Sequence, residues 1–268
     1  MAIIRVMTFN IHGNDPEWSA LHADPTLGVL RRYSPDLIGL QEVVVSNIEL
    51  YRRQLTEYDY ALGQEYGEDE DSGYSSIFWR KARFELVESG TFWFSRTPDR
   101  RSSDWGVPYP MGATWVRLQD KRTGIQLLHL NTHFEDGSGG EQSRQESSKL
   151  LVDRTAQLAP DIPVIVTGDF NCNPWSAAYN HFMANGFTDT YRAAGNADSV
   201  DSSTYHGYAG QQYFALEWGA EVFWRVDWIL TRDGAQHLQT SSSTIVRDAT
   251  PPIYPSDHYP VVCELVVL

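Results

Sequence analysis

Strand-like and helix-like segments alternate along the whole of this 268-residue chain. The strand-like segments are short apolar runs bounded by turn-forming residues, and the helix-like segments repeat apolar residues at helical spacing. No internal repeat, low-complexity tract or Pro/Ser linker divides the chain. Strands broken by a few helices predict two packed β-sheets with helices outside, in one domain over residues 1–268. The predicted strands are Ile3–Asn10, Leu37–Gln41, Tyr74–Trp79, Phe84–Ser95, Ala113–Leu118, Ile125–Thr132, Ile162–Gly168, Val226–Thr231 and Tyr259–Leu268.

Helical spacing predicts a short helix ending at Ser34, because the residue before Pro35 resists the helical conformation. It predicts further helices around Leu50–Tyr58, over Glu141–Leu158 and over Ser176–Asn185. The two C-terminal strands are expected to be separated by polar loops alone.

The composition is that of a globular protein with a sizeable core, since 41% of the residues are hydrophobic and 21% are charged. Apolar runs such as Val43–Val45 are far too short to cross a bilayer, so we expect no stable membrane association. Met1–Arg5 runs directly into a strand-like pattern rather than a signal peptide, which favours a cytoplasmic protein. Cys172 and Cys263 form no paired metal-thiolate motif and fit small buried residues in a reducing compartment.

The net charge restricts the partners of the chain. Twenty-one Lys and Arg residues against 35 Asp and Glu residues give −14 at pH 7. A field of this sign repels phosphates, so the bulk surface does not favour salt-driven binding of nucleic acid. A phosphate-bearing partner needs a local change of sign, and a bound divalent cation is the usual device.

Polar residues cluster where the predicted strands end. A single polar residue in such a place is more often a cap or a turn former. Six together predict a site, because ligands of α/β folds bind beside strand ends, where loops converge. The clusters are Asn10, Gln41-Glu42, Asn131-Thr132-His133, Asp169-Phe170-Asn171, Asp227 and Ser256-Asp257-His258.

These residue types point to one kind of chemistry. Carboxylates and amides without paired thiols suit Mg²⁺ or Mn²⁺ rather than Zn²⁺. Histidines next to carboxylates suit proton transfer and anion stabilisation. Hydrolysis of a phosphate ester requires this combination: a metal neutralises the phosphate, a carboxylate aligns water and a donor stabilises the transition state.

Six motifs appear in an order that resembles the endonuclease/exonuclease/phosphatase superfamily, the fold of deoxyribonuclease I. The resemblance covers nearly the whole chain. It implies an α/β (α+β) fold, a four-layered sandwich of two facing mixed β-sheets flanked by helices, with the site at the top of both sheets. The motifs are Thr8-Phe9-Asn10, Leu40-Gln41-Glu42, Asn131-Thr132-His133-Phe134, Gly168-Asp169-Phe170-Asn171-Cys172-Asn173-Pro174, Val226-Asp227-Trp228-Ile229 and Ser256-Asp257-His258-Tyr259-Pro260.

The resemblance implies a role for each motif residue. Glu42 would be the principal ligand of Mg²⁺, with Mn²⁺ as a substitute. Asn10 and Asp257 would complete the metal shell, directly or through water.

On the phosphate side, Asp169 would align or deprotonate the attacking water and Asn171 would hold the phosphoryl oxygens. The resemblance implies that His258 donates to the phosphate and is oriented by Asp227. His133 would contact the phosphate from the other side.

The chain departs from the superfamily pattern in two places. Gly73 stands where many relatives carry a glutamate, and the acidic run that contains Glu70 and Asp71 is better interpreted as a solvated loop. Met111-Gly112 stand where related members often carry an arginine.

A basic cluster over Arg96–Arg101 is a candidate replacement for the missing arginine. Arg100 and Arg101, followed by Trp105, can grip phosphate and stack a base, although a loop of surface charges explains them equally well. Trp175 and His206 are candidate walls of the substrate pocket. For the tryptophans in strand patterns, Trp93, Trp115 and Trp228, we predict core packing.

The sequence therefore favours a metal-dependent phosphodiesterase of the nuclease/phosphodiesterase type. The alternative is a phosphomonoesterase acting on a sugar, inositol or nucleotide phosphate. A non-catalytic phosphate-binding protein is less favoured because every motif acid is present. A sphingomyelinase-like membrane hydrolase is also less favoured. The surplus of acids favours a small or short phosphoester, or a nuclease guided by the Arg96–Arg101 loop. The sequence indicates no protein partner.

Overall fold

The computed structural model describes residues 1–63, 74–137, 140–210, 224–233 and 237–268. In this part of the chain the strands form two mixed sheets of six strands each, with the orders β11-β12-β1-β2-β4-β3 and β5-β6-β7-β8-β10-β9. The first sheet consists of β1 (Ala2–Asn10), β2 (Leu37–Val43), β3 (Tyr58–Ala61), β4 (Tyr74–Arg80), β11 (Leu238–Ile245) and β12 (Val261–Val267). The second consists of β5 (Phe84–Trp93), β6 (Gly112–Asp120), β7 (Gln126–His133), β8 (Val164–Asp169), β9 (Thr188–Asp189) and β10 (Asp227–Arg232).

The two sheets face each other across an apolar layer. Ile4 and Val6 of the first sheet are fully buried in the same cluster as Leu127 and Ile165 of the second. Successive side chains of a strand point to opposite faces, so the other face of each sheet needs a cover of its own.

Helices cover both outer faces. On the first sheet, α1 (Ala23–Tyr33) and α2 (Val45–Gln54) pack in a cluster with residues of β1 and β2. On the second sheet, α3 (Glu141–Leu158) and α4 (Ala177–Ala184) pack with residues of β7, β8 and β10. A single-turn α5 (Thr190–Ala193) follows β9. The four layers confirm the predicted sandwich of two mixed sheets flanked by helices.

Several elements differ from the prediction, and β9 and α5 are among those that it did not contain. The helix around Leu50–Tyr58 ends at Gln54, and Tyr58 begins β3. A short π-helix, Trp18–His22, precedes α1. The prediction that only polar loops separate the C-terminal strands was wrong, because β11 lies between them. The sequence of β11 is rich in Ser and Thr and lacks an apolar run, so it does not predict a strand. An edge strand can have this composition because one of its sides needs no apolar cover.

Parallel pairing brings the polar strand ends together. In the first sheet β1 is parallel to β2, and in the second β7 is parallel to β8. Their carboxyl ends therefore meet at one edge of the sandwich. No helix among the described residues is long and apolar enough to cross a membrane.

Candidate active site

Several residues from the polar strand ends line one cleft of about 630 Å³ at the top of the sandwich. Glu42 comes from β2 of the first sheet, and Asp169 from the end of β8 in the second. Asp227, the first residue of β10, is the register partner of Asp169. His258 lies just before β12, so both sheets contribute to the same cleft. The lining residues are His12, Asn14, Glu42, Tyr109, Met111, His133, Phe134, Asp136, Asp169, Asn171, Tyr205, Trp224, Val226, Asp257 and His258.

Asn10 connects two carboxylates across the sheets. Its Nδ2 donates to Glu42 Oε1 at 2.8 Å and to Asp169 Oδ2 at 3.0 Å. Its Oδ1 accepts the backbone N–H of His12 at 3.0 Å. The sequence predicts Asn10 in the metal shell, and in this structure its amide directs N–H groups toward the two acids. Asn10 therefore holds the carboxylates in place.

Left-handed backbone conformations cluster at this edge. Glu42, His12 and Asn171 have φ angles of +58°, +47° and +48°. Residues other than glycine rarely adopt these values, and each costs on the order of 1 kcal/mol. Such strain persists where the surrounding structure imposes it, as at the rim of this cleft.

His258 lies between two buried carboxylates. Its Nδ1 donates to Asp227 Oδ2 at 2.9 Å, and its Nε2 is 3.6 Å from Asp169 Oδ2. This geometry places Asp227 beside His258 as predicted. Burial alone would lower the pKa of His258, but the charges of Asp227 and Asp169 outweigh it and raise this pKa well above the ordinary value.

Burial also raises the pKa of Asp227, against the charge of His258. The two directions describe one proton shared by the pair. Because Asp169 lies on the far side of the ring, it favours keeping this proton on His258, which is then an imidazolium.

The same three side chains place their ligand atoms within 4.8 Å of one another, close enough to hold a metal. An imidazolium has no free lone pair for a cation, and both ring nitrogens of His258 already face carboxylates. Asp169, Asp227 and His258 can therefore hold either this proton or a metal, but His258 cannot bind both at once.

Asn171 and His133 connect the ends of β8 and β7. Asn171 Nδ2 lies 3.0 Å from His133 Nε2 and donates to the carbonyl oxygen of Phe134 at 2.8 Å. The backbone N–H of Asn171 donates to Asp169 Oδ1 at 2.9 Å. His133 Nε2 is also 3.5 Å from Asp169 Oδ2. Both predicted phosphate contacts thus lie beside the central carboxylate.

Asp257 has two polar neighbours. Its Oδ1 accepts the hydroxyl of Ser256 at 3.1 Å, and its Oδ2 lies 3.4 Å from His12 Nδ1. The same ring nitrogen is 3.1 Å from the hydroxyl of Tyr208. The Tyr208 ring stacks between His12 and His22, at centroid distances of 5.8 and 4.8 Å.

Sequence reasoning missed His12 and Tyr208. His12-Gly13-Asn14-Asp15 is typical of a turn and gave no sign of chemistry, although a histidine two residues after a motif asparagine was an available signal. It also missed the aromatic wall of the cleft formed by Tyr109, Tyr205 and Trp224.

The structure does not bring the predicted substrate-binding residues into the cleft. Arg100 and Arg101 are exposed on a turn outside its lining. Trp105 packs against the outer core of the second sheet, which stabilises the loop instead. Trp175 is 57% exposed but lies outside the lining.

His206 is a clear correction, because it is buried and stacks on Tyr259 with ring centroids 3.9 Å apart. Burial lowers its pKa to about 3. Met111, next to the position where the resemblance implies an arginine, lines the cleft. Gly73, Glu70 and Asp71 lie outside the described residues.

The chain belongs to the endonuclease/exonuclease/phosphatase family, whose model matches residues 7–258. Members of this family are phosphoester hydrolases.

Three similar proteins illustrate its range. The endonuclease/exonuclease/phosphatase from Bacteroides vulgatus is 28% identical with a TM-score of 0.86, and the match covers 100% of both chains. The mannosyl-6-phosphatase of Bacteroides thetaiotaomicron is 25% identical with a TM-score of 0.82, and the match covers 98% of this chain and 99% of the other. Tyrosyl-DNA phosphodiesterase 2 of Xenopus tropicalis is 22% identical over 272 residues. This match covers 98% of the present chain but only 66% of the relative's length.

Proposed function

We propose that this protein is a divalent-metal-dependent phosphoester hydrolase in which a water molecule attacks the phosphorus in line with the leaving group. The observation that carries the proposal is the position of His258, held by Asp227 at 2.9 Å and 3.6 Å from Asp169. A proton donor, an aligned carboxylate and further acids meet in one cleft, as phosphoester hydrolysis requires.

The cleft residues fit a hard divalent cation. Glu42 and Asp257 both line the cleft, and each presents a partly exposed carboxylate. Carboxylate oxygens are the ligands that Mg²⁺ and Mn²⁺ prefer. We assign Glu42 and Asp257 as the residues that hold the metal, with Asn10 fixing the orientation of Glu42. When bound, the metal supplies positive charge to the phosphoryl oxygens.

Asp169 is the residue that aligns the attacking water and accepts its proton. Its Oδ1 accepts the backbone N–H of Asn171, and its Oδ2 accepts Asn10 Nδ2. Because these donors come from both sheets, the carboxylate is fixed before substrate binds. Such preorganisation lowers the cost of reaching the transition state.

His258 stabilises the transition state as a hydrogen-bond donor. Asp227 orients the ring through Nδ1 and leaves the Nε2–H near Asp169 and the cleft. Asn171 and His133 are placed to contact the phosphoryl oxygens from the other side.

Two substrate classes use the same site. The sequence favours a phosphodiester, and the similarity to tyrosyl-DNA phosphodiesterase 2 supports it. A phosphomonoester is the alternative, and the similarity to a mannosyl-6-phosphatase supports that class. Product analysis distinguishes them, because only the monoester releases inorganic phosphate in a single step.

The hydrolase proposal is tested with generic aryl phosphate mono- and diesters in Mg²⁺ or Mn²⁺. We expect turnover that a chelator abolishes and added metal restores. We also expect Asp169→Asn to lower this turnover by at least about 100-fold. Activity that survives both treatments contradicts the proposal. Tight phosphate-ligand binding without any turnover in either metal favours a non-catalytic binding protein instead.

A further inference from the structure

The cleft contains none of the formal cations of the chain. The ranges 64–73, 138–139, 211–223 and 234–236 contain no Lys or Arg, so all 21 such residues lie in the described part. None of them lines the cleft. No Lys or Arg side chain is therefore available there to neutralise a substrate that carries several phosphates.

The arginines nearest in sequence to the cleft residues have other partners. Arg225 is buried and bonds to Asp189 and Asp198. Arg144 donates to the carbonyl oxygens of Glu135 and Gly137, and so supports the loop after β7 from behind. These guanidinium groups therefore stabilise the protein around the cleft and are not available to bind a substrate.

The lining instead carries a surplus of acids. Glu42 and Asp257 are assigned to the metal and Asp169 to the attacking water. Asp136 also lines the cleft and is exposed. The neighbouring Glu135 accepts the hydroxyl of Tyr109, another lining residue. The flanking phosphates of a polynucleotide would meet these carboxylates, and no counterion release from Lys or Arg contacts would offset the repulsion.

The same wall suits a small, neutral, hydroxyl-rich group. Asp136 is an acceptor for hydroxyl hydrogens, and Asn14 offers both an acceptor and donors. Tyr205 and Trp224 add aromatic surface for the apolar face of a ring. The cleft volume of about 630 Å³ lies within the range of small-molecule sites.

From this lining we propose that the substrate is a monosaccharide carrying one phosphate, with Asp136 as a residue that determines specificity for the sugar. The inference rests on the hydrolase activity proposed above. Water oxygen forms a bond to phosphorus while the bond between phosphorus and the sugar oxygen breaks. Asp169 accepts a proton from the attacking water, the leaving oxygen takes a proton from solvent, and the products are inorganic phosphate and the free sugar.

A substrate panel tests the inference with wild-type protein in Mg²⁺ or Mn²⁺. It contains hexose 1- and 6-phosphates, 5′-mononucleotides and short single-stranded DNA and RNA, with an aryl phosphate to register the hydrolase activity itself. We expect at least one hexose phosphate to exceed every nucleotide and oligonucleotide in kcat/KM by about 10-fold or more. Aryl phosphate turnover combined with preferential cleavage of oligonucleotides overturns the sugar assignment and leaves the hydrolase proposal standing.

Variants at Asp136 separate specificity from general damage. Asp136→Asn should lower kcat/KM for the hexose phosphate, relative to the aryl phosphate, by about 10- to 100-fold, as expected for a lost hydrogen bond to a charged group. Asp161→Asn, an exposed acid outside the cleft lining, should leave this ratio unchanged.

Asp136→Lys should lower hexose phosphate turnover further and raise oligonucleotide affinity. Because a folding defect lowers both, the opposite directions identify a change of specificity. Equal ratios for Asp136→Asn and Asp161→Asn overturn the role of Asp136.

A binding measurement provides a second readout that does not depend on turnover. Asp169→Asn protein is titrated calorimetrically with the hexose phosphate and with a single-stranded DNA oligonucleotide, each in Mg²⁺. We expect saturable binding of the sugar phosphate and weaker binding of the oligonucleotide. Tight oligonucleotide binding that falls steeply with salt overturns the inference.

Discussion

Asn10 and Asp169 lie on different sheets and are 159 positions apart in sequence, yet Asn10 Nδ2 donates to Asp169 Oδ2 at 3.0 Å. The second N–H of the same amide donates to Glu42 Oε1 at 2.8 Å. One neutral side chain therefore separates two carboxylates that would otherwise repel each other. It also fixes Asp169, which is assigned to the attacking water, relative to Glu42, which is assigned to the metal.

This arrangement makes Asn10→Asp more damaging than Asn10→Ala. The aspartate adds a third negative charge between two existing ones, at a cost of a few kcal/mol for charges about 4 Å apart. We expect kcat/KM on an aryl phosphate to fall by at least about 100-fold in Asn10→Asp and by less in Asn10→Ala. Steady-state kinetics at saturating metal measure both. Equal losses in the two variants would show that the charge of this position is unimportant.

Asp227→Asn tests how strongly the orientation of His258 contributes. The amide has the same shape but cannot stabilise an imidazolium with a negative charge, and it can present an N–H to His258 Nδ1. We expect kcat to fall by at least about 100-fold with a smaller change in KM, because the lost interaction acts mainly in the transition state. A KM rise with unchanged kcat would assign Asp227 to ground-state binding instead. Thermal unfolding of the variant shows whether the fold is retained.

Much of the site was predictable because local sequence determines where strands end. Each motif acid follows or opens a strand, and parallel pairing of β1 with β2 and of β7 with β8 then brings the ends together. That Asp227 needs a partner was also predictable, because an acid flanked by apolar residues is costly to bury unpaired. The family resemblance, rather than this argument, named His258 as the partner.

Other features depend on long-range packing that no local pattern encodes. His12 and Tyr208 are 196 positions apart, so neither residue indicates the contact between them. The amide orientation of Asn10 follows from the left-handed turn at His12, whose backbone N–H occupies the amide oxygen. The basic cluster near Arg100 suggested a phosphate-binding loop, but the loop packs Trp105 against the core and leaves Arg100 and Arg101 outside the cleft.

Tyr208→Phe tests whether the contact with His12 supports Asp257. The change removes the hydroxyl 3.1 Å from His12 Nδ1 and keeps the stacked ring. Because outer partners of metal ligands contribute about 10- to 100-fold to metal affinity, we expect a loss of this order. The measurement is the increase in melting temperature with added Mn²⁺.

Tyr33→Phe is the matched control for this experiment, because it removes a hydroxyl that lies 3.3 Å from Asp248. It should shift the Mn²⁺ response little. Identical Mn²⁺ responses of Tyr208→Phe and the wild-type protein would exclude a supporting role for the Tyr208 hydroxyl.

His129 predicts how stability depends on pH. The residue is fully buried in β7, with Nε2 2.9 Å from Thr167 Oγ1, and burial lowers its pKa from 6.5 to about 3. Between these values the unfolded chain binds a proton at this residue and the folded chain does not, so stability falls as pH falls below 6.5. At pH 5 this proton uptake by the unfolded chain lowers the free energy of unfolding by about 2 kcal/mol.

His129→Gln isolates this contribution, because glutamine can hydrogen-bond to Thr167 without binding a proton at these pH values. We expect the variant to lose about 2 kcal/mol less of its free energy of unfolding between pH 7 and pH 5 than the wild-type protein. Denaturant unfolding at both pH values gives the two differences. A packing loss common to both pH values cancels in this comparison. Parallel pH dependences would mean that His129 takes up its proton without unfolding, and that the environment inferred from its burial is wrong.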